Sequence, residues 1–147
     1  MLDIPALPGS YGLILRLAQT EIIQPGRLPK TVFPAGFYVY TGVARGPGGL
    51  RARLNRHLMG TGKLHWHIDW LRARAAPYAN WFQTGADPLE CEWIQNLKRL
   101  PGVFSPSPGF GASDCHAGCR AHLLGFREIP DFYIISSIIQ SDIHSCE

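Results

Sequence analysis

The chain has 147 residues, enough for one domain with a real core and too few for two ordinary ones. Hydrophobic residues are 46% and charged residues 17% of it, which excludes a disordered chain, and no apolar run reaches the roughly 18 residues of a membrane helix. The net charge is +3, but the segment from Arg45 to Arg74 holds seven Lys/Arg against a single acid, Asp69.

Tyr11 to Leu17 alternates Tyr11, Leu13, Leu15 and Leu17 with Gly12, Ile14 and Arg16, the period of a strand. Glu21 to Gln24 reads as a short second strand before the Pro25-Gly26 turn. Phe37 to Thr41, rich in aromatic and β-branched residues, reads as a third. After the Gly46-Pro47-Gly48-Gly49 loop, Leu50, Leu54 and Leu58 stack at i, i+4 and i+8, which predicts a helix over Leu50 to Met59. His65 to Ala75 is a second predicted helix and Tyr78 to Thr84 another strand. Asp87 is a candidate N-cap with Pro88 as first helical residue, for a helix from Leu89 to about Leu100. Gly109 to Gly118 is a loop, Arg120 to Phe126 a strand or short helix, and apolar, β-branched Phe132 to Ile139 a last strand. The expected fold is a single α+β domain with a small, mostly antiparallel sheet flanked by helices. The opening residues carry neither a basic n-region nor an apolar core of a signal peptide, and four Cys make no disulfide scaffold. A reduced, cytoplasmic protein with no membrane partner is expected.

The basic segment suits a polyanion, with Arg45, Arg51, Arg56, Lys63, Arg72 and Arg74 as candidate nucleic-acid contacts; a plain solvated surface is the alternative. On a helix wheel of about 100° per residue, Arg53 and His57 line one flank of the leucine stripe, while Arg56 points away to solvent. A guanidinium and an imidazole at a core edge suit a phosphate. In the third helix Glu90 falls beside the apolar stripe and Glu92 further out. Glu90 is either a complement to the helix dipole or a single oxygen ligand for a hydrated Mg²⁺. The four tryptophans, Trp66, Trp70, Trp81 and Trp93, read as core, with base stacking as the alternative. Gly46 to Gly49 make a turn, or present N–H groups to a phosphate.

Gly9-Ser10-Tyr11 opening one strand and Tyr40-Thr41-Gly42 closing another resemble the paired motif of the GIY-YIG nuclease superfamily. The helix with Arg53 and His57 and the later helix with Glu90 follow in the matching order. The wider pattern, Phe33-Pro34-Ala35-Gly36-Phe37-Tyr38-Val39-Tyr40, Leu64-His65-Trp66-His67-Ile68-Asp69 and Gly109-Phe110-Gly111-Ala112-Ser113-Asp114-Cys115, resembles a branch of short prokaryotic GIY-YIG-like proteins. Some members of that branch are fused to a DNA-repair glycosylase. The resemblance runs from Gly9 to about Phe126 and leaves residues 127–147 as an extension. Ser10 and Thr41 stand where the motifs have isoleucine. The resemblance implies a metal-dependent endonuclease acting on DNA, in repair or processing, with a functional link to such a glycosylase. One Mg²⁺ or Mn²⁺ on Glu90 would polarise the phosphodiester and Arg53 would stabilise the developing charge. Tyr11 or Tyr40 would activate water, and His57 could share that task. A non-catalytic nucleic-acid-binding module is the alternative.

A separate constellation, Cys115, Cys119 and His122 with Asp114 and His116 adjacent, offers ligands for Zn²⁺. His65 or His67 would complete it through folding. A packed loop, or a zinc-stabilised interaction domain, are the other readings. Cys91 and Cys146 have no evident partner in the sequence.

Overall fold

The computed structural model describes residues 3–60, 62–112, 115 and 118–146. Asp114 and His116, named above as neighbours of the metal-type cluster, lie outside the described residues. The elements in order are β1 (Gly9–Leu17), β2 (Glu21–Ile23), β3 (Thr31–Phe33), β4 (Gly36–Ala44), α1 (Gly49–Met59), α2 (His67–Arg72), β5 (Ala76–Thr84), α3 (Glu90–Leu97), β6 (Val103–Phe104), β7 (Leu123–Phe126), α4 (Phe132–Ile139) and β8 (His144–Ser145).

Six strands form one antiparallel sheet in the order β6-β7-β4-β1-β5-β8, and β2 and β3 form a separate hairpin. Successive side chains of a strand point to opposite faces, so β1 supplies two cores at once. Tyr11, Leu13, Leu15 and Leu17 pack with Leu50 and Leu54 of α1 and Ile68 and Leu71 of α2. Ile14 packs on the other face with Trp93, Ile94 and Leu97 of α3 and Ile135 and Ile139 of α4. Both faces of the sheet are thus covered by a helix pair. Two glycines of β1 and β4 make close approaches possible. A Cβ on Gly12 would lie 2.1 Å from the fully buried Trp81 ring, and one on Gly42 would lie 2.6 Å from the Tyr11 hydroxyl.

Several predicted boundaries move, for local reasons. The α2 helix starts two residues later than expected because the Asp69 carboxylate accepts the N–H groups of His65 and Trp66, holding both outside it, and it ends at Arg72, three residues early. Asp87 is not the cap of α3. The helix starts at Glu90, and the Leu89 N–H donates to Ser10 Oγ instead. The strand expected at Phe132 to Ile139 is a helix. Asp131 caps it by accepting the Tyr133 N–H at 2.7 Å, and burial falls on Ile135 and Ile139, four apart, while Tyr133 and Ile134 face solvent. Tertiary packing on α3 overrides the β-propensity of the isoleucines. The stretch beyond Phe126 is therefore part of the core, and β8 adds an edge strand to β5. Among the described residues no helix is long and apolar enough to cross a membrane.

Candidate functional site

At one end of the sheet, where β1 begins and β4 ends, a cavity of about 440 Å³ opens between the two helical layers. Tyr40 from β4, Arg53 from α1, Trp66 from the entry to α2 and Glu90 from α3 line it, with Arg45 beside them. The sheet alternation explains how α3 reaches this place. Tyr11 and Tyr40 point toward α1, so their neighbours Ser10 and Thr41 point toward α3. Ser10 Oγ accepts the Leu89 N–H at 2.9 Å, and Thr41 Oγ1 donates to the Glu90 carbonyl at 3.0 Å. Both side chains are buried. The two hydroxyls, which stand at the motif's isoleucine positions, thus tether the first turn of α3. Their signal in the sequence was a polar residue on the inner face of each motif strand.

Tyr11 is fully buried and sits behind Tyr40, with ring centroids 6.3 Å apart. Its hydroxyl is 2.9 Å from His57 Nε2. His57 is buried, not half-exposed, and its Nδ1 has no hydrogen-bond partner. Burial pushes the His57 imidazole down to about 4; Asp69 raises it, and Arg53, Arg56 and Arg72 lower it. The ring is therefore neutral at neutral pH. Burial pushes the Tyr11 hydroxyl up to about 12 against the pull of Arg53, and holds Tyr40 well above its ordinary value. Both tyrosines are protonated in the unliganded protein.

The guanidinium of Arg53 lies 4.1 Å above the Trp66 ring and donates to the Val43 carbonyl at 3.2 Å. The sequence placed Arg56 in solvent, but it is half-buried against the same ring and paired with Asp69 at 2.8 Å. Burial pushes the Asp69 carboxyl up, but the His65 and Trp66 N–H groups and Arg56 outweigh this and hold it below the ordinary range. Arg72 is likewise turned inward: it donates to the His57, Leu58 and Ala75 carbonyls. Arg74 pairs with Glu21 at 3.1 Å, and Arg51 donates to the Ile4 carbonyl at 2.7 Å. Arg45 and Lys63 are exposed and form no ion pair among the described residues. The N–H groups at the start of α1 do not face a ligand, since Leu50 and Arg51 donate to the carbonyls of Leu7 and Pro5. In the glycine loop itself the Gly49 N–H closes a turn on the Gly46 carbonyl, and Gly46 borders the cavity.

Glu90 is half-buried, with Oε2 shielded from solvent and without a hydrogen-bond partner. Such an oxygen fits a cation, because a buried carboxylate oxygen with no partner is otherwise costly. Glu92 is exposed, as its wheel position predicts.

The next residue, Cys91, opens a second constellation. Its Sγ lies 3.4 Å from Cys115 Sγ and 3.3 Å from His122 Nε2. With Cys119, the four ligand atoms all fall within 4.8 Å of one another. Cys91, Cys115 and His122 also border the cavity. Burial and the neighbouring thiols push the Cys91 thiol well up, and burial lowers His122 while Glu90 raises it. This Cys₃His group could hold a metal ion, and its sulfur-rich donors fit zinc better than Mg²⁺ or Mn²⁺. The fourth member is Cys91 rather than His65 or His67; His67 Nδ1 instead accepts the Gly111 N–H at 2.8 Å. The sequence hid Cys91 because it lies far upstream on a helix. Cys146 accepts a long hydrogen bond from Asn80 at 3.5 Å and takes no part.

Residues 10–141 match the family described as a domain of unknown function, DUF123. The chain belongs to this family. The match spans β1 to the end of α4, so the tyrosines, Arg53, Glu90 and the Cys₃His group all lie within the family domain. No curated protein and no solved structure matches the chain.

Proposed function

We propose that this DUF123 chain is a metal-dependent endonuclease of the GIY-YIG type, which hydrolyses phosphodiester bonds in DNA. The observation that carries the reading is convergence. Tyr40, Arg53 and Glu90, from three separate elements, line one cavity, and the Glu90 carboxylate has an oxygen without a hydrogen-bond partner. The exposed Arg45 and Lys63 supply charge for a phosphate backbone, and Trp66 at the cavity wall holds the Arg53 guanidinium against its ring. Work in DNA repair, a functional link to a DNA-repair glycosylase and a cytoplasmic setting belong to the same reading.

Glu90 would hold one Mg²⁺ or Mn²⁺, which supplies Lewis-acid polarisation of the phosphodiester. The thiol-rich group beside it is a separate site, since hard divalent ions prefer oxygen donors. Arg53, held against Trp66, stabilises the negative charge that grows on the phosphoryl oxygens. Tyr40 faces the cavity and orients the attacking water. Tyr11 stands behind it and, when the His57 ring proton is on Nδ1, donates its hydroxyl proton toward Nε2. The buried Tyr11–His57 hydrogen bond therefore fixes the Tyr11 hydroxyl behind Tyr40.

A cleavage assay with Mg²⁺ or Mn²⁺ on branched, nicked and single-stranded DNA tests this. Glu90→Gln removes the ligand charge and keeps the size, so cleavage should collapse while DNA binding persists. Glu92→Gln, with the same charge change, should leave cleavage near wild type. Arg53→Ala should lose roughly 2.7–4 kcal/mol of transition-state stabilisation, a rate loss of about 10²–10³-fold. Full activity in Glu90→Gln, or equal loss in both glutamate variants, removes Glu90 from the chemistry, and DNA binding without cleavage by the wild type leaves a binding module.

A further inference from the structure

We propose that Cys91, Cys115, Cys119 and His122 hold one structural zinc ion, which clamps the loop before β7 onto the first turn of α3. Zinc is the metal the donors select. Three sulfurs and one imidazole nitrogen form a recognised structural zinc set, whereas Mg²⁺, Mn²⁺ and Ca²⁺ take oxygen ligands. The distances agree. Bond lengths of about 2.3 Å to sulfur and 2.0–2.1 Å to nitrogen place tetrahedral donors roughly 3.5–3.8 Å apart. Separations of 3.3 and 3.4 Å, within a group spanning no more than 4.8 Å, need small adjustments to reach that geometry. Four protein donors close the coordination sphere and leave no position for a substrate, which marks a structural site.

The surroundings orient the ligands as an outer shell does. The Gln95 side chain donates to Cys119 Sγ at 3.5 Å. His122 is pinned through its backbone: its N–H donates to the Phe110 carbonyl at 2.8 Å, and its carbonyl accepts the Thr41 N–H at 3.1 Å. The Cys115 N–H closes a turn on Ala112. The ion joins two distant pieces of chain, one ligand from α3 and three from the stretch between β6 and β7. On binding, three thiol protons leave to solvent and the site carries a net charge of −1. Because Cys91 follows Glu90, the same clamp fixes the carboxylate's side of the cavity. That last consequence alone rests on the nuclease reading.

The test begins with elemental analysis of the protein purified without chelators. One zinc per chain is expected, with the loss of most of it in Cys91→Ser and Cys115→Ser and full retention in Cys146→Ser. If the ligand variants do not fold, the wild type still decides: a mercurial that caps thiols should release one equivalent of zinc to a colorimetric indicator. Cobalt-loaded protein should show the visible bands of a tetrahedral thiolate site. The clamp is read by trypsin at the exposed Arg120, between Cys119 and Ala121. Cleavage there should speed up at least tenfold after zinc removal. Folded protein with no zinc, or full zinc in a folded Cys91→Ser, overturns the site. Unchanged cleavage at Arg120 after zinc removal overturns the clamp. Zinc without DNA cleavage supports this site and counts against the nuclease reading; cleavage by zinc-free protein does the reverse.

Discussion

His57 is a side chain whose charge is set by burial. Its ordinary value is 6.5, and burial among three arginines brings it down to about 4. The unfolded chain therefore takes up a proton on this ring before the folded chain does. Its contribution to stability is complete above about pH 6.5 and is lost as the pH falls from there through 4, roughly 3 kcal/mol in all. Urea midpoints for wild type and His57→Gln at pH 7, 5.5 and 4.5 measure this. The wild type should lose more stability than the variant across the acid range, and parallel losses would refute a buried neutral ring. Ser10 and Thr41 show how closely single side chains decide the site. Each bonds the main chain at the start of α3, so replacing either with the motif's isoleucine would remove a tether of Glu90.

The elements read from the sequence differ in how local their causes are. The strand β1, the strand β4 and the helix α1 follow from alternation or a leucine stripe within the element, and all three form as read. The α+β class and the meeting of Tyr11, Tyr40 and Arg53 follow from them. The errors arise where a distant partner decides. The α4 segment has the composition of a strand, and only its packing on Trp93, Ile94 and Leu97 of α3 makes the helical face visible. The inward turn of Arg56 depends on Asp69, and the metal-type role of Cys91 depends on three ligands that arrive after β6. The α4 cap makes a direct check. Asp131→Ala removes the acceptor for the Tyr133 N–H and should cost about 0.5–2 kcal/mol in thermal or denaturant unfolding. Asp131→Asn should retain most of that, and an equal loss in both would deny the cap its role.

Across the surface, the basic residues divide into two groups that a salt titration separates. Arg45 and Lys63 are exposed and outside any ion pair among the described residues, and Arg51 is largely exposed. Neutralising one of them should weaken DNA binding and reduce the slope of log affinity against log salt by roughly 0.7–0.9. Arg72 instead closes the end of α1 on the carbonyls of His57 and Leu58. Its replacement by Gln should lower the melting temperature while the salt slope stays near wild type. A slope change for Arg72 as large as for Arg45 would place Arg72 on the docking surface.

The strand order has a consequence for synthesis. β1 is synthesised before the strands it pairs with, yet it lies between β4 and β5, and the register sets Tyr11 against Phe82, about seventy residues later. At the usual pace of about 5–20 residues per second, the far edge of β1 waits roughly 4–14 s for its partner. For that interval Leu13, Ile14, Leu15 and Leu17 present apolar side chains on both faces and an unpaired row of backbone groups. Such an edge recruits foreign strands. The nascent chain is thus most exposed to aggregation before β5 is made, through residues that are the least accessible in the finished fold.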